Sequence, residues 1–131
     1  MRLKNSKIVA IVEKTDTGFS AFAKDYPVYT TGNSITELQK NILEAINLNL
    51  EETNKKVTSN DIQLQIDLKQ FFQYYRVLNA KFLAERIGMN PTLLSQYVQG
   101  RKKPSLVQTE KIVEGINEIG KELSGIHLIA K

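Results

Sequence analysis

Cysteine is absent from this 131-residue chain, and histidine occurs once, at His127. The first absence removes disulfides, thiolate zinc sites, iron–sulfur clusters and cysteine nucleophiles together. The second leaves no multi-histidine metal cage. Long apolar runs are missing too, since nothing approaches the about 18 residues that a membrane span needs. A leader peptide is not expected, because the basic start from Met1 to Lys7 is followed by a short apolar stretch, residues 8–12. No metal, no cofactor and no membrane partner is implied, and the default expectation is a soluble cytoplasmic protein. The 41% hydrophobic and 24% charged residues suffice for a folded core, in one domain or two small modules.

Charge is unevenly placed. Residues 1–75 carry nine basic and nine acidic groups, whereas residues 76–131 carry nine basic and five acidic, so the formal +4 sits in the second part. A basic module joined to a neutral one points to a polyanion as partner of the former; the alternative is a solvated surface with a modest excess.

Ile8-Val9-Ala10-Ile11-Val12 is a β-branched run expected to form a strand buried on both faces. Thr15-Asp16-Thr17-Gly18 is turn chemistry, with Gly18 expected to take positive φ. Residues 19–23 form the return strand, Pro27 interrupts it, and residues 28–31 give a third strand. Ser34 and Glu37 predict a capping box at the start of a helix over residues 35–52, whose apolar face is Ile35, Leu38, Ile42, Ala45, Ile46 and Leu50. Glu13, Asp16 and Asp25 lie near strand ends and read as solvated charges, because the strand centre offers no carboxylate to a metal or a reacting group. No nucleophile–base pair is present, so no catalytic residue is assigned and the chain is not expected to be an enzyme.

The run from Ile8 to Lys14, the Asp16-Thr17-Gly18 turn, the aromatic return strand, Asp25-Tyr26-Pro27 and the stretch from Ser34 to Ile46 together resemble the HicB antitoxin family, over about residues 7–53. The resemblance implies a partial, catalytically inactive RNase H-like fold that binds and masks a HicA-like toxin, a small mRNA-cleaving RNase. The chain departs from the family in having Pro27-Val28-Tyr29 where a Pro-Gly-Cys-like stretch is common.

Residues 61–67 alternate apolar and polar, the period of a half-exposed strand. From Leu68 the period becomes helical for about ten residues. Asn79 then caps a helix over residues 80–87, Gly88 permits a tight turn, Met89 plugs the core beneath it, and Asn90 with Pro91 starts a second helix over residues 91–99. This is a helix-turn-helix pattern: Leu83, Ile87 and Leu94, with Tyr97 or Val98, face inward. Gly100-Arg101-Lys102-Lys103 follows, and Ser105 with Gln108 predicts a second capping box at the start of a last helix. Residues 68–123 resemble the helix-turn-helix of the Xre/Cro/phage-repressor family. The resemblance implies DNA-binding roles for Asn79, Asn90, Thr92, Leu93, Ser95, Gln96, Arg101, Lys102 and Lys103. Asn79 and Ser95 would touch phosphate, and Gln96 would pair with an adenine edge. Leu93 would meet a thymine methyl, and the three cations would position the duplex without reading it. Gly115 and Gly120 within the last helix point to close packing against another helix, including that of a second subunit. Residues 126–129 are expected to form a terminal strand, paired with residues 62–66 or with a second subunit, His127 being an ordinary strand residue.

The expected fold class is α+β: a small antiparallel sheet with one helix, partially RNase H-like, over residues 1–56; a linker and strand over 57–67; and an all-α helix-turn-helix domain for DNA binding and dimerisation over 68–131. The expected function is that of an antitoxin in a type II HicA/HicB-like toxin–antitoxin system. It would neutralise the RNase and repress its own operon by binding double-stranded operator DNA as a homodimer or dimer of dimers. The alternatives are a helix-turn-helix regulator whose N-terminal module senses a small molecule or another protein, and, more remotely, an RNase H-like nuclease.

Overall fold

The computed structural model describes residues 7–131. Strand β1 (Ile8–Lys14) pairs antiparallel with β2 (Phe19–Ala23), Ala10 opposite Ala23 and Val12 opposite Ala21. β3 (Tyr29–Gly32) continues the meander, with Phe19 opposite Gly32. Helix α1 (Ile35–Asn49) follows, and β4 (Ile62–Ile66) returns beside β1 in parallel, Ile8 opposite Ile62 and Val12 opposite Ile66. The order is β3-β2-β1-β4. The sheet is therefore mixed, not antiparallel as expected. A parallel neighbour needs a crossover connection, and α1 provides it. The strand expected over residues 61–67 thus belongs to the sheet.

α1 lies on one face only. Leu38, Ile42 and Ile46 are fully buried against Ile8, Ala10, Val12, Phe19 and Ala21, where the small alanines make room for the helix side chains. Each buried Leu or Ile contributes about 1.5–3 kcal/mol, so truncating Ile42 removes one of the largest single contributions. The other face of β1 is only half covered: Val9 and Ile11 are partly exposed. The expectation of a strand buried on both faces is corrected accordingly, since β-branched residues satisfy strand sterics whether or not both faces are covered.

Gly18 is also corrected. Positive φ among glycines occurs at Gly88 and Gly100; Gly18 is needed because a Cβ there would run into the Gly32 carbonyl and sit 2.9 Å from Asn33 Cα. Ser34 Oγ accepts from Glu37 N at 3.1 Å, the serine half of the expected box, and Ser105 Oγ does the same for Gln108 N at 3.1 Å. A box with both halves forms at Thr58 and Asp61. The segment after α1 is pinned by Asn47, whose amide donates to Val57 O at 3.0 Å and whose carbonyl oxygen accepts from Val57 N at 2.8 Å.

The chain forms two compact units, the first ending at Gln70 and the second Phe71–Lys131. Helix α2 (Leu68–Tyr74) is shorter than the ten residues expected: Tyr75 N closes it by donating to Phe71 O, and a single turn with Leu78 N donating to Tyr75 O follows. In the second unit α3 (Ala80–Ile87), α4 (Pro91–Val98) and α5 (Leu106–Ser124) share a core of Leu83, Ala84, Met89, Leu94, Tyr97 and Ile112. Tyr97, rather than Val98, is the buried residue of the pair considered. Residues 126–129 form no strand. They have no ladder partner among the described residues, and Leu128 stays 86% exposed. His127 is accordingly an exposed residue of irregular chain.

Candidate functional site

The site is built on α4 and its flanks. Asn90 has extended backbone and its Oδ1 accepts from Thr92 N at 2.8 Å and Leu93 N at 3.3 Å, closing the N-terminus of α4. Pro91 at the first helical position fixes φ where no amide donor is needed. One helix earlier, Asn79 Oδ1 accepts from Phe82 N at 3.2 Å and caps α3. Gly88 ends α3 at φ 72°, a left-handed conformation that side chains avoid, so α4 departs at once from its predecessor.

Leu94 and Tyr97 point α4 into the core. At 100° per residue the opposite arc then carries Thr92, Ser95, Gln96 and Gln99, with Leu93 at its rim. Thr92 and Gln99 are exposed, and Leu93, Ser95 and Gln96 are half-exposed. The structure thus brings the expected α4 residues onto one polar surface. Gln99, which the sequence reading passed over, joins them: it donates from Nε2 to Ser95 Oγ at 3.3 Å. Its spacing, four residues after Ser95 and three after Gln96, was the available signal.

The basic loop is tied to the same helix end. Gln96 O accepts from Arg101 N at 2.9 Å and from Lys102 N at 3.3 Å, and Gly100 takes φ 75° to turn the chain. Arg101, Lys102 and Lys103 are all exposed, and none forms an ion pair among the described residues. Arg86, by contrast, is occupied by Glu122 of α5, and Lys111 Nζ donates to Gly88 O at 3.3 Å. The three adjacent loop cations are therefore available to an external anion. Asn79 and Asn90 use their side-chain oxygens as caps, which leaves each Nδ2 as a donor facing outward.

In the first unit the uncovered sheet face is the main feature. Ile11, Phe22 and Tyr29 stand opposite one another on β1, β2 and β3, with Phe22 46% and Tyr29 67% exposed. Gln63 and Gln65 flank them on β4, joined by a 3.1 Å hydrogen bond. Among the described residues no group of three or more His, Cys, Asp or Glu side chains is placed to hold a metal ion. Glu13, Asp16 and Asp25 are exposed. No helix of the described residues is long and apolar enough to cross a membrane. In comparison with known proteins, no family model matches the chain, and no curated protein matches its sequence.

Proposed function

We propose that the chain is an antitoxin-type repressor: its second unit binds duplex operator DNA through a helix-turn-helix made of α3 and α4, and its first unit binds and masks a HicA-like RNase. The observation that carries the DNA reading is the outer arc of α4 continuous with three unpaired cations. An α-helix fits the major groove, where polar side chains reach base edges, and cations just beyond its C-terminus suit the passing phosphate backbone. In this reading Gln96 and Thr92 read bases and Leu93 touches a thymine methyl. Asn79, Asn90 and Ser95 hold phosphates, and Arg101, Lys102 and Lys103 supply salt-dependent affinity.

The toxin reading rests on the likeness of residues 7–53 to HicB antitoxins and on the neutral charge of residues 1–75. A partly apolar sheet face carrying Ile11, Phe22 and Tyr29 is the kind of surface a protein partner covers. Such a protein restrains another protein's chemistry and needs no catalytic group of its own. The test is co-expression with the short open reading frame beside its gene. A neighbour that is toxic alone, rescued by this chain and not by a Phe22→Ala/Tyr29→Ala variant, supports the reading. A harmless neighbour leaves a regulator with a different sensing partner and ends the antitoxin proposal.

A further inference from the structure

The two edges of the sheet differ. At β3 the Thr31 carbonyl already accepts from Asn41 Nδ2 of α1, at 2.8 Å. At β4 the edge is open. Beyond the ladder with β1, no hydrogen bond reaches the backbone of residues 63–66 among the described residues. Such an edge offers unpaired N–H and C=O groups to another strand, and proteins ordinarily blunt it with a charge, a proline or a bulge. β4 carries none of these. Ile62-Gln63-Leu64-Gln65-Ile66 is uncharged, and its register runs unbroken from Ile8 opposite Ile62 to Val12 opposite Ile66.

We infer that this edge pairs with the same edge of a second copy of the chain, antiparallel, about a two-fold axis through Leu64. The occupant follows from the strand itself, whose sequence reads the same in both directions. A two-fold contact requires that when residue i meets residue j, j also meets i. Centred on Leu64, Ile62 faces Ile66 of the second copy, Gln63 faces its Gln65, and Leu64 faces its own counterpart.

The side chains agree with this register. Ile62, Leu64 and Ile66 pack against the core beneath α1 but stay half-exposed, because the sheet stops there. Pairing sets each of them beside an apolar residue of the second copy on the same face. On the other face Gln65 Nε2 donates to Gln63 Oε1 at 3.1 Å. A donor remains at Gln63 Nε2 and an acceptor at Gln65 Oε1, and these are the groups that Gln65 and Gln63 of the second copy complement. A slip of one residue would set apolar side chains opposite amides on the wrong face. Asp61 and Asp67 come next in line. Their carboxylates accept from Thr58 N at 2.9 Å and Gln70 N at 3.2 Å on their own chain, and like charges opposite each other end the ladder there.

The expected dimerisation element lies in residues 68–131, whereas this contact belongs to the first unit, on a strand expected as part of a linker. Its axis is perpendicular to the sheet. Both α1 helices therefore stay on one side, and both open faces with Ile11, Phe22 and Tyr29 on the other. In the toxin reading, two partner surfaces then point the same way; the contact itself does not rest on that reading.

The chain has no cysteine, so an introduced thiol is the sole reporter. Residues directly opposite in an antiparallel pair lie within disulfide reach. The test mixes full-length Gln63→Cys with Gln65→Cys, one of them tagged, under a mild oxidant and without DNA or toxin. The mixed disulfide should exceed either symmetric one at least ~10-fold, because only the mixed pair stands directly opposite. Both substitutions are at exposed positions, and circular dichroism confirms the fold of each variant. Leu64→Cys, on the axis, should link to its own counterpart. Adding Gln63→Glu with Gln65→Glu should cut that yield at least ~10-fold, whereas Gln63→Lys with Gln65→Glu should keep it, since each lysine then faces a glutamate. A mixed disulfide no more abundant than random collision gives, or a Leu64→Cys yield equal in the two charged backgrounds, would overturn the inference. Because neither operator nor toxin is present, its failure is distinct from a failure to bind them.

Discussion

Gly115 of α5 lies directly against Ile87 of α3, so close that the position has no room for a Cβ. This contact sets the approach of α5 to the α3–α4 pair, and through it the support beneath the candidate DNA-reading helix. Gly120, five residues later, meets nothing.

The two glycines therefore separate in a stability measurement. Gly115→Ala should destabilise the second unit by about 1–3 kcal/mol, because Ile87 is stiff at its first torsion and overpacking cannot be relieved cheaply. Gly120→Ala should stabilise the isolated protomer by about 0.5–1 kcal/mol through the unfolded state. Urea unfolding at concentrations where the protein is monomeric checks both. Equal effects would show that the contact between Gly115 and Ile87 does not control the packing.

Asn79 combines a cap with a proposed phosphate contact, and the two can be split. Asn79→Asp keeps the oxygen that accepts from Phe82 N, so unfolding should shift by less than about 0.5 kcal/mol. It exchanges an outward donor for a negative charge, so operator affinity should fall at least ~10-fold. Asn79→Ala should instead lose about 1 kcal/mol of stability. Unchanged DNA affinity in Asn79→Asp would reduce the residue to a cap alone.

Lys102→Ala with Lys103→Ala removes two exposed cations without touching a hydrogen bond of their side chains. The slope of log affinity against log salt should fall by about two. Fluorescence anisotropy across a salt series measures it, and an unaltered slope would mean that the loop does not meet phosphate.

Tyr75 provides a pH signature. Burial, with a smaller contribution from the Tyr74 side chain, raises its pKa above the usual 10.0. A raised phenol pKa means that the unfolded chain releases its proton first. The contribution of Tyr75 to stability should therefore be constant below about pH 10 and fall as pH climbs from there to the folded value. Tyr75→Phe should flatten that alkaline decline in a pH series of thermal unfolding, whereas an equally steep decline would assign it to other groups.

Much of this architecture was legible in the residues themselves. Ser34, Asn79, Asn90 and Ser105 each announce a helix start by side-chain chemistry that acts within three residues, and Gly88 announces a turn that only positive φ allows. Local signals of that kind survive any tertiary context. The parallel placement of β4 was not legible, because strand alternation in Ile62–Ile66 fixes faces but not neighbours. Nor was the role of Gly18, which depends on a strand 14 residues away. The apolar residues 126–129 read as a strand because composition does not reveal whether a ladder partner exists. In the site, Gln96 and the loop cations were legible as a pattern. Gln99 was missed because it lies at the helix end, where polar residues are common.

The most direct test of the central claim is binding of the full chain to duplex DNA from upstream of its own gene, compared with a shuffled duplex at matched salt. The account predicts at least ~1000-fold tighter binding to the upstream duplex. It also predicts that Gln96→Ala weakens this binding by about 1–3 kcal/mol, with discrimination lost at a single base-pair position per half-site. Equal affinity for both duplexes, or an equal loss on both in Gln96→Ala, would contradict it.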